Sequence, residues 1–246
     1  MTTSLPNPVV APPHVHELLD RLHARSAEQE ATIDSAVYKT AGTTAFDDLM
    51  RDKFVALDQD KSQFVYQVAR MTGATSVVEA GTSFGVSTIY LALAVGQNVA
   101  DGKSGPGKVI ATEKEPEKIK LAKAHWMEVG QEVEPYVDLR EGDLLQTLSK
   151  DLPDVDLLLL DSKCTHDQLR KLAHRYKVWA PLALPTLKLV QPKLKSGAVV
   201  IVDNTISGEE RYKDLLEHLR NPESGFSNLT APYKNGLDVS IYHPKK

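Results

Sequence analysis

Residues 77–90 read VVEAGTSFGVSTIY: β-branched residues and an acid, then glycines at 81 and 85, then an apolar run with helical spacing. This is the pattern of a buried strand, a tight turn and the start of a helix. Glu79 sets a carboxylate at the C-terminal edge of its strand, where open α/β sheets bind ligands, and Gly81 lets backbone approach a ligand closely. Ser83, Ser87 and Thr88 supply hydroxyls around the first helical turn. The glycine spacing is G-x-x-x-G, with Ser83 where a dinucleotide fingerprint has its second glycine, so a pyrophosphate is poorly cradled. An acid at the strand tip repels phosphate and suits a cation, which favours a positively charged, amino-acid-like ligand.

On either side of this stretch the chain alternates. Strands are predicted over 76–79, 109–112, 137–140, 155–161 and 198–203, with helices over 85–95, 115–129, 144–148, 185–190 and 209–219. Repeated β-α units imply a parallel sheet with helices on both faces. The unbroken apolar run Leu157 to Leu160 suits a central strand covered on both sides. Asn235-Gly236 between two strand-like segments, 226–230 and 237–242, signals an antiparallel hairpin closing the sheet.

Composition sets bounds. A chain of 246 residues, 41% hydrophobic, can bury one sizeable core, and its net charge of −4 gives no support for nucleic-acid binding. The single cysteine, Cys164, excludes an intrachain disulfide, and no apolar run approaches a membrane span. Residues 1–14, with prolines at 6, 8, 12 and 13, read as a flexible tail without signal-peptide character, giving a soluble cytoplasmic protein as the expectation. A single domain then spans 15–246: an N-terminal helical cover (15–71) and an α/β core (72–246). Within the cover, 15–38 and 46–71 are helical, with 58–63 (DQDKSQ) a turn between two helices.

Three further places at the sheet's carboxyl edge carry chemistry. Glu113 ends the second strand 34 positions after Glu79, where an acid can accept both hydroxyls of a ribose; the alternative is a first-turn charge meeting the helix dipole. Gly142-Asp143 follows the third strand. The fourth and fifth strands end in Asp161 and Asp203-Asn204, three oxygen-bearing side chains that match the hard-cation preference of magnesium, manganese or calcium. Alternatively, Asp203-Asn204 caps the following helix.

The segment E-A-G-T-S-F-G-V-S-T (79–88) resembles the class I S-adenosylmethionine-dependent methyltransferases, most of all the small O-methyltransferases of the catechol and caffeoyl-CoA type. The resemblance runs from about 54 to 242 and implies a Rossmann-like seven-stranded mixed sheet. It implies S-adenosyl-L-methionine held by Glu79, Gly81, Thr82, Ser83, Ser87, Glu113, Gly142, Asp143 and Asp161. LLLLD and VVIVDNT match the family's divalent-cation site, here Asp161, Asp203 and Asn204, which in that family activates a substrate hydroxyl. The implied protein is a homodimer acting on a small, aromatic hydroxyl acceptor. The segments before the first strand help shape the acceptor pocket in this family, so Lys61 is either a substrate contact or a solvated surface residue.

The sequence also departs from the family. Asp161 and Asp203 lie 42 positions apart, against about thirty expected for one helix and two short turns. The excess falls in 162–178 (SKCTHDQLRKLAHRYKV), either an extra helix over the acceptor pocket or a loop. Lys163, two positions after Asp161, stands where the family's lysine general base could sit, unless the insert displaces it. His166 and His174, among Arg170, Lys171, Arg175 and Lys177, read as solvated, and Cys164 as incidental. Three other classes stay open: a metal-independent methyltransferase on N, C or O, a dinucleotide-dependent oxidoreductase, and a cofactor-binding protein without catalysis.

Overall fold

In the computed structural model, which describes residues 6–34, 49, 53–161 and 182–244, seven strands form one sheet in the order β3-β2-β1-β4-β5-β7-β6. They are β1 Ser76–Ala80, β2 Lys108–Glu113, β3 Val137–Glu141, β4 Val155–Leu160, β5 Leu194–Asp203, β6 Phe226–Ala231 and β7 Leu237–Tyr242. The pairs among β1 to β5 are parallel, and β7 runs antiparallel to both β5 and β6. The helices are α1 Pro13–Ala31, α2 Gln59–Thr72, α3 Val86–Ala100, α4 Pro116–Val129, α5 Leu144–Leu148, α6 Ala183–Val190 and α7 Glu209–Arg220. The α/β class, the mixed seven-stranded sheet and the closing hairpin are thus as expected.

Period-2 alternation divides the core between two faces. Val77, Val109, Leu157, Leu159, Val199 and Ile201 face one layer with Leu18, Val65, Ile89 and Trp126 of α1 to α4. Val78, Ile110, Leu158, Leu160, Val200 and Val202 face the other, with Leu148, Leu187 and Leu215 of α5 to α7. This two-sided cover is why β4 reads as a continuous apolar run.

Sequence and structure differ at the N-terminal segment and at β5. The segment just before α1, expected to be a flexible tail, is anchored at Val9 and Val10: Val9 is buried, the Val10 N–H donates to Tyr66 Oη at 3.2 Å, and Gln97 Nε2 donates to the Val10 carbonyl at 2.6 Å. The first helix ends at Ala31, and the DQDKSQ segment, expected to be a turn, instead opens α2, with Asp58 just before its first residue. β5 begins at Leu194, four residues before its expected start; Leu194 pairs with Val155 of β4, and the register then shifts so that the next pair is Leu157 with Val199, leaving the exposed Lys195-Ser196-Gly197, which lacks strand patterning, in an irregularity of the ladder. Among the described residues, no helix is long and apolar enough to cross a membrane. The segment 162–178, and with it Lys163, Cys164, His166 and His174, lies outside the described residues.

Candidate active site at the carboxyl edge of the sheet

Register brings the acids to one edge. Ala80 pairs with Thr112 and Leu160, Glu113 with Glu141, and Leu160 with Val202. Glu79, Glu113, Gly142-Asp143, Asp161 and Asp203-Asn204 therefore all stand within two residues of the C-terminal ends of adjacent parallel strands. The Asp161 N–H donates to the Ala80 carbonyl at 3.1 Å, carrying the β1–β4 pairing one residue past β4.

The turn after β1 is held from three sides. Gly81, Ser83 and Gly85 have φ of 98°, 51° and 77°. Ser83, a non-glycine residue in the left-handed region, is kept there by its N–H, which donates to Glu113 Oε2 at 2.9 Å. The Gly81 N–H donates to Thr112 Oγ1 at 3.2 Å, and the Thr112 N–H to Thr82 Oγ1 at 3.0 Å. From α4, Trp126 Nε1 donates to the Gly85 carbonyl at 3.0 Å and His125 Nδ1 to the Phe84 carbonyl at 2.9 Å. Burial holds the His125 imidazole below its usual pKa, so it is neutral at pH 7. A Cβ at Gly85 would lie 2.6 Å from Trp126 Nε1; only glycine lets this indole close over the helix start.

Glu79 is fully buried, and its carboxylate is held by three hydroxyls of the turn and the start of α3. Thr82 Oγ1 and Thr88 Oγ1 donate to Oε2 at 2.7 and 2.5 Å, and Ser87 Oγ to Oε1 at 2.6 Å. The hydroxyl of Ser87, expected from the family resemblance to contact the cosubstrate, and that of Thr88 both donate to this carboxylate. Burial pushes the Glu79 pKa up and the three hydroxyls hold it down, while the nearby Glu113 charge pushes it further up. Glu113 accepts the Ser83 N–H on Oε2 and the Lys114 and Glu115 N–H groups, at 2.8 and 3.0 Å, on Oε1. Among the described residues, neither carboxylate has a lysine, arginine or histidine in ion-pair contact.

Gly142 and Asp143 extend the edge beyond β3. The Gly142 N–H donates to the Glu113 carbonyl at 2.9 Å, and Asp143 caps α5 by accepting the Gln146 N–H at 3.1 Å.

At the β5 end the structure supplies a partner that the sequence reading left as either a substrate contact or a solvated surface residue. Lys61, on the buried face of α2 with Val65, Val68 and Ala69, is 1% exposed, and its ammonium lies 2.7 Å from Asp203 Oδ1 and 3.1 Å from Asp58 Oδ2. Burial alone would lower its pKa, but the charges of Asp203 and Asp58 override this and raise it, so the ammonium is kept. The other oxygen of Asp203 accepts Asn204 Nδ2 at 2.6 Å. The β6–β7 hairpin fixes this corner. The Asn204 N–H donates to the Gly236 carbonyl at 3.0 Å and the Ile206 N–H to the Asn235 carbonyl at 2.9 Å, while buried Asp238 of β7 accepts Thr205 Oγ1 at 2.8 Å. The rings of Phe64 of α2 and Tyr233 of the hairpin meet at a tilt of 51° with centroids 5.5 Å apart. Asp203-Asn204 does not cap α7, whose first turn follows Gly208 without a side-chain cap.

The donor set does not suit a divalent cation at Asp203, because one oxygen already meets an ammonium and the other an amide N–H. Among the described residues, no group of three or more His, Cys, Asp or Glu is arranged to hold a metal ion. The sequence did carry a signal for Lys61: spacings of four, seven and eight to Val65, Val68 and Ala69 place it on the apolar face of α2.

Comparison with known proteins bears on the family and the fold. The family described as "Methyltransferase domain" matches residues 78–205, just over half the chain. No curated protein matches by sequence. Among solved structures, the chain is similar to a methyltransferase from Geobacter sulfurreducens (TM-score 0.60, 18% identity, covering 89% of this chain and 94% of that one). It is also similar to an O-methyltransferase from Bacillus cereus in complex with SAH (TM-score 0.57, 16% identity, 90% and 99% covered). A third is the O-methyltransferase TomG from Streptomyces achromogenes, involved in tomaymycin synthesis, in complex with SAM (TM-score 0.58, 18% identity, 92% and 99% covered). At these identities the likeness is one of fold.

Proposed function

Since the chain belongs to the methyltransferase domain family, we propose that it uses S-adenosyl-L-methionine to methylate a hydroxyl of a small aromatic acceptor. The observation that carries the reading is the pair of carboxylates at the β1 and β2 ends, Glu79 and Glu113, with hydroxyl or N–H partners and, among the described residues, no cationic side chain in contact. A donor bearing an ammonium and a sulfonium supplies the missing positive charge. Glu79 acts by fixing the turn and by its field, while Glu113 Oε2, which accepts a single N–H, keeps capacity for a ribose hydroxyl. Gly142-Asp143, beside Glu113, border the place for the adenine, and Asp161 faces the donor from β4.

The cosubstrate supplies an activated methyl group: its C–S bond breaks as a C–O bond forms, the sulfur keeps the electron pair as a thioether, and the hydroxyl proton passes to a base. Lys163 is our assignment for that base. The chain's own contribution is orientation of oxygen, methyl carbon and sulfur in line. The acceptor reading draws on the Phe64–Tyr233 ring pair beside the β5 end and on the O-methyltransferases of the same fold from Bacillus cereus and Streptomyces achromogenes. One observation favours transfer without a metal over the cation-assisted version: Asp203 already faces Lys61.

Calorimetric titration with S-adenosylhomocysteine tests the core of the proposal. Saturable binding is expected, weakened about tenfold or more in Glu113→Ala, where a charge-assisted hydrogen bond is lost. No binding by the intact chain, or equal binding by the variant, would remove the basis for it. Methyl transfer to a panel of catechols and phenols then tests the acceptor class.

A further inference from the structure

We infer that Lys61 is the resident cation of the Asp203 carboxylate, and that it excludes a divalent metal ion from the β5 end of the cleft. A carboxylate that serves a hard cation keeps its oxygens turned to the ion. Here Oδ1 of Asp203 meets the Lys61 ammonium at 2.7 Å and Oδ2 the Asn204 amide at 2.6 Å. The pair is not a flexible surface contact, since the two side chains are 1% and 6% exposed. Lys61 extends from the face of α2 that packs Val65, Val68 and Ala69 into the core, so its stem is held.

Asp58, just before α2, takes the ammonium from a second side at 3.1 Å. Moving Lys61 away from Asp203 would leave a nearly buried carboxylate without its partner, and adding a divalent ion beside the ammonium would set like charges within a few ångströms in a desolvated site. The Asp203 corner is equally fixed from behind. Asn204 sits at φ 60° with its N–H on the Gly236 carbonyl, which aims its amide at Asp203. Lys61 therefore acts through Asp203 as a positioning residue: it supplies fixed positive charge at this end of the cleft and ties α2 to β5 across 142 positions of sequence.

The inference borrows from the methyltransferase reading only the name of the reaction that the cleft serves. Its test is a titration of the full chain with Mn2+, followed by the electron paramagnetic resonance signal of the free ion, with S-adenosylhomocysteine binding measured in parallel. The wild type is expected to bind no Mn2+ tighter than about 1 mM. Lys61→Met, which keeps the stem and removes the charge, is expected to gain a site at least about tenfold tighter, lost again in Lys61→Met/Asp203→Asn. Stoichiometric binding by the wild type that disappears in Asp203→Asn overturns the inference. So does a Lys61→Met protein that is folded and gains no site, because Lys61 is then not what keeps metal out. If Lys61→Met does not fold, the wild-type and Asp203→Asn titrations decide alone. Absence of S-adenosylhomocysteine binding would count against the methyltransferase reading and leave the Mn2+ outcome to judge Lys61 independently.

Discussion

Replacing Thr88 by Val removes one hydroxyl from the buried Glu79 carboxylate while keeping almost the same side-chain shape. Thr88 is wholly buried and its Oγ1 donates to Glu79 Oε2 at 2.5 Å, so water cannot take over the lost bond in the native state. A hydrogen bond to a charged group contributes about 1.5–3 kcal/mol. With an unfolding entropy of roughly 2 cal/mol/K per residue, a chain of this length loses about 3–6 °C in Tm. The sign of the pH dependence follows from Glu79. Burial already raises its pKa, so the native state releases that proton at higher pH than the unfolded chain; a missing donor raises it further. The cost of Thr88→Val is then full where Glu79 is ionised and shrinks as the pH falls and the carboxyl protonates. Thermal unfolding at neutral and acid pH, with the Glu79→Gln and double variants completing a cycle, measures the coupling. A Tm change below about 1 °C, or equal loss at both pH values, would mean that the hydroxyls do not sustain an ionised Glu79, and the charge argument for a cationic cosubstrate would fall with it.

Gly85→Ala puts a Cβ 2.6 Å from Trp126 Nε1 and 2.9 Å from Ala122 Cβ at φ 77°. It should cost about 2–4 kcal/mol from overpacking and left-handed strain, read as a lower urea midpoint together with weaker S-adenosylhomocysteine binding. His23, which accepts or donates with Tyr90 Oη at 2.9 Å, is pushed down to about 4 by burial. Its native pKa lies below the unfolded value of 6.5, so stability is complete above that value and is lost as the pH falls toward 4, by roughly 3 kcal/mol at the acid end. His23→Phe should flatten the stability profile between these limits, and an unchanged acid slope would locate the effect elsewhere. Gly236→Ala places a Cβ 2.8 Å from the Ile206 nitrogen at φ 82°. It should destabilise by about 1–3 kcal/mol and disturb the Asp203-Asn204 corner, seen as altered backbone resonances at Asn204.

Local pattern determined the sheet. β-branched and leucine runs bounded by turn residues define β1 to β4, alternation with helical segments makes them parallel, and Asn235-Gly236, with φ of 64° and 82°, signals the turn of the closing hairpin. Because parallel strands end at one edge, the same local reading also brought Glu79, Glu113, Gly142-Asp143, Asp161 and Asp203 together. What each carboxylate faces was decided only by tertiary packing. That Glu79 meets three hydroxyls depends on how α3 starts, and α4 sets that through Trp126 and His125, whose side chains contact the turn from about forty residues away in sequence. Whether Asp203 meets a metal ion or an ammonium depends on where the face of α2 carrying Lys61 packs against β5. Strand periodicity reports which side of an element is buried, whereas the pairing of charges across 142 positions is a property of packed helices that no local pattern encodes.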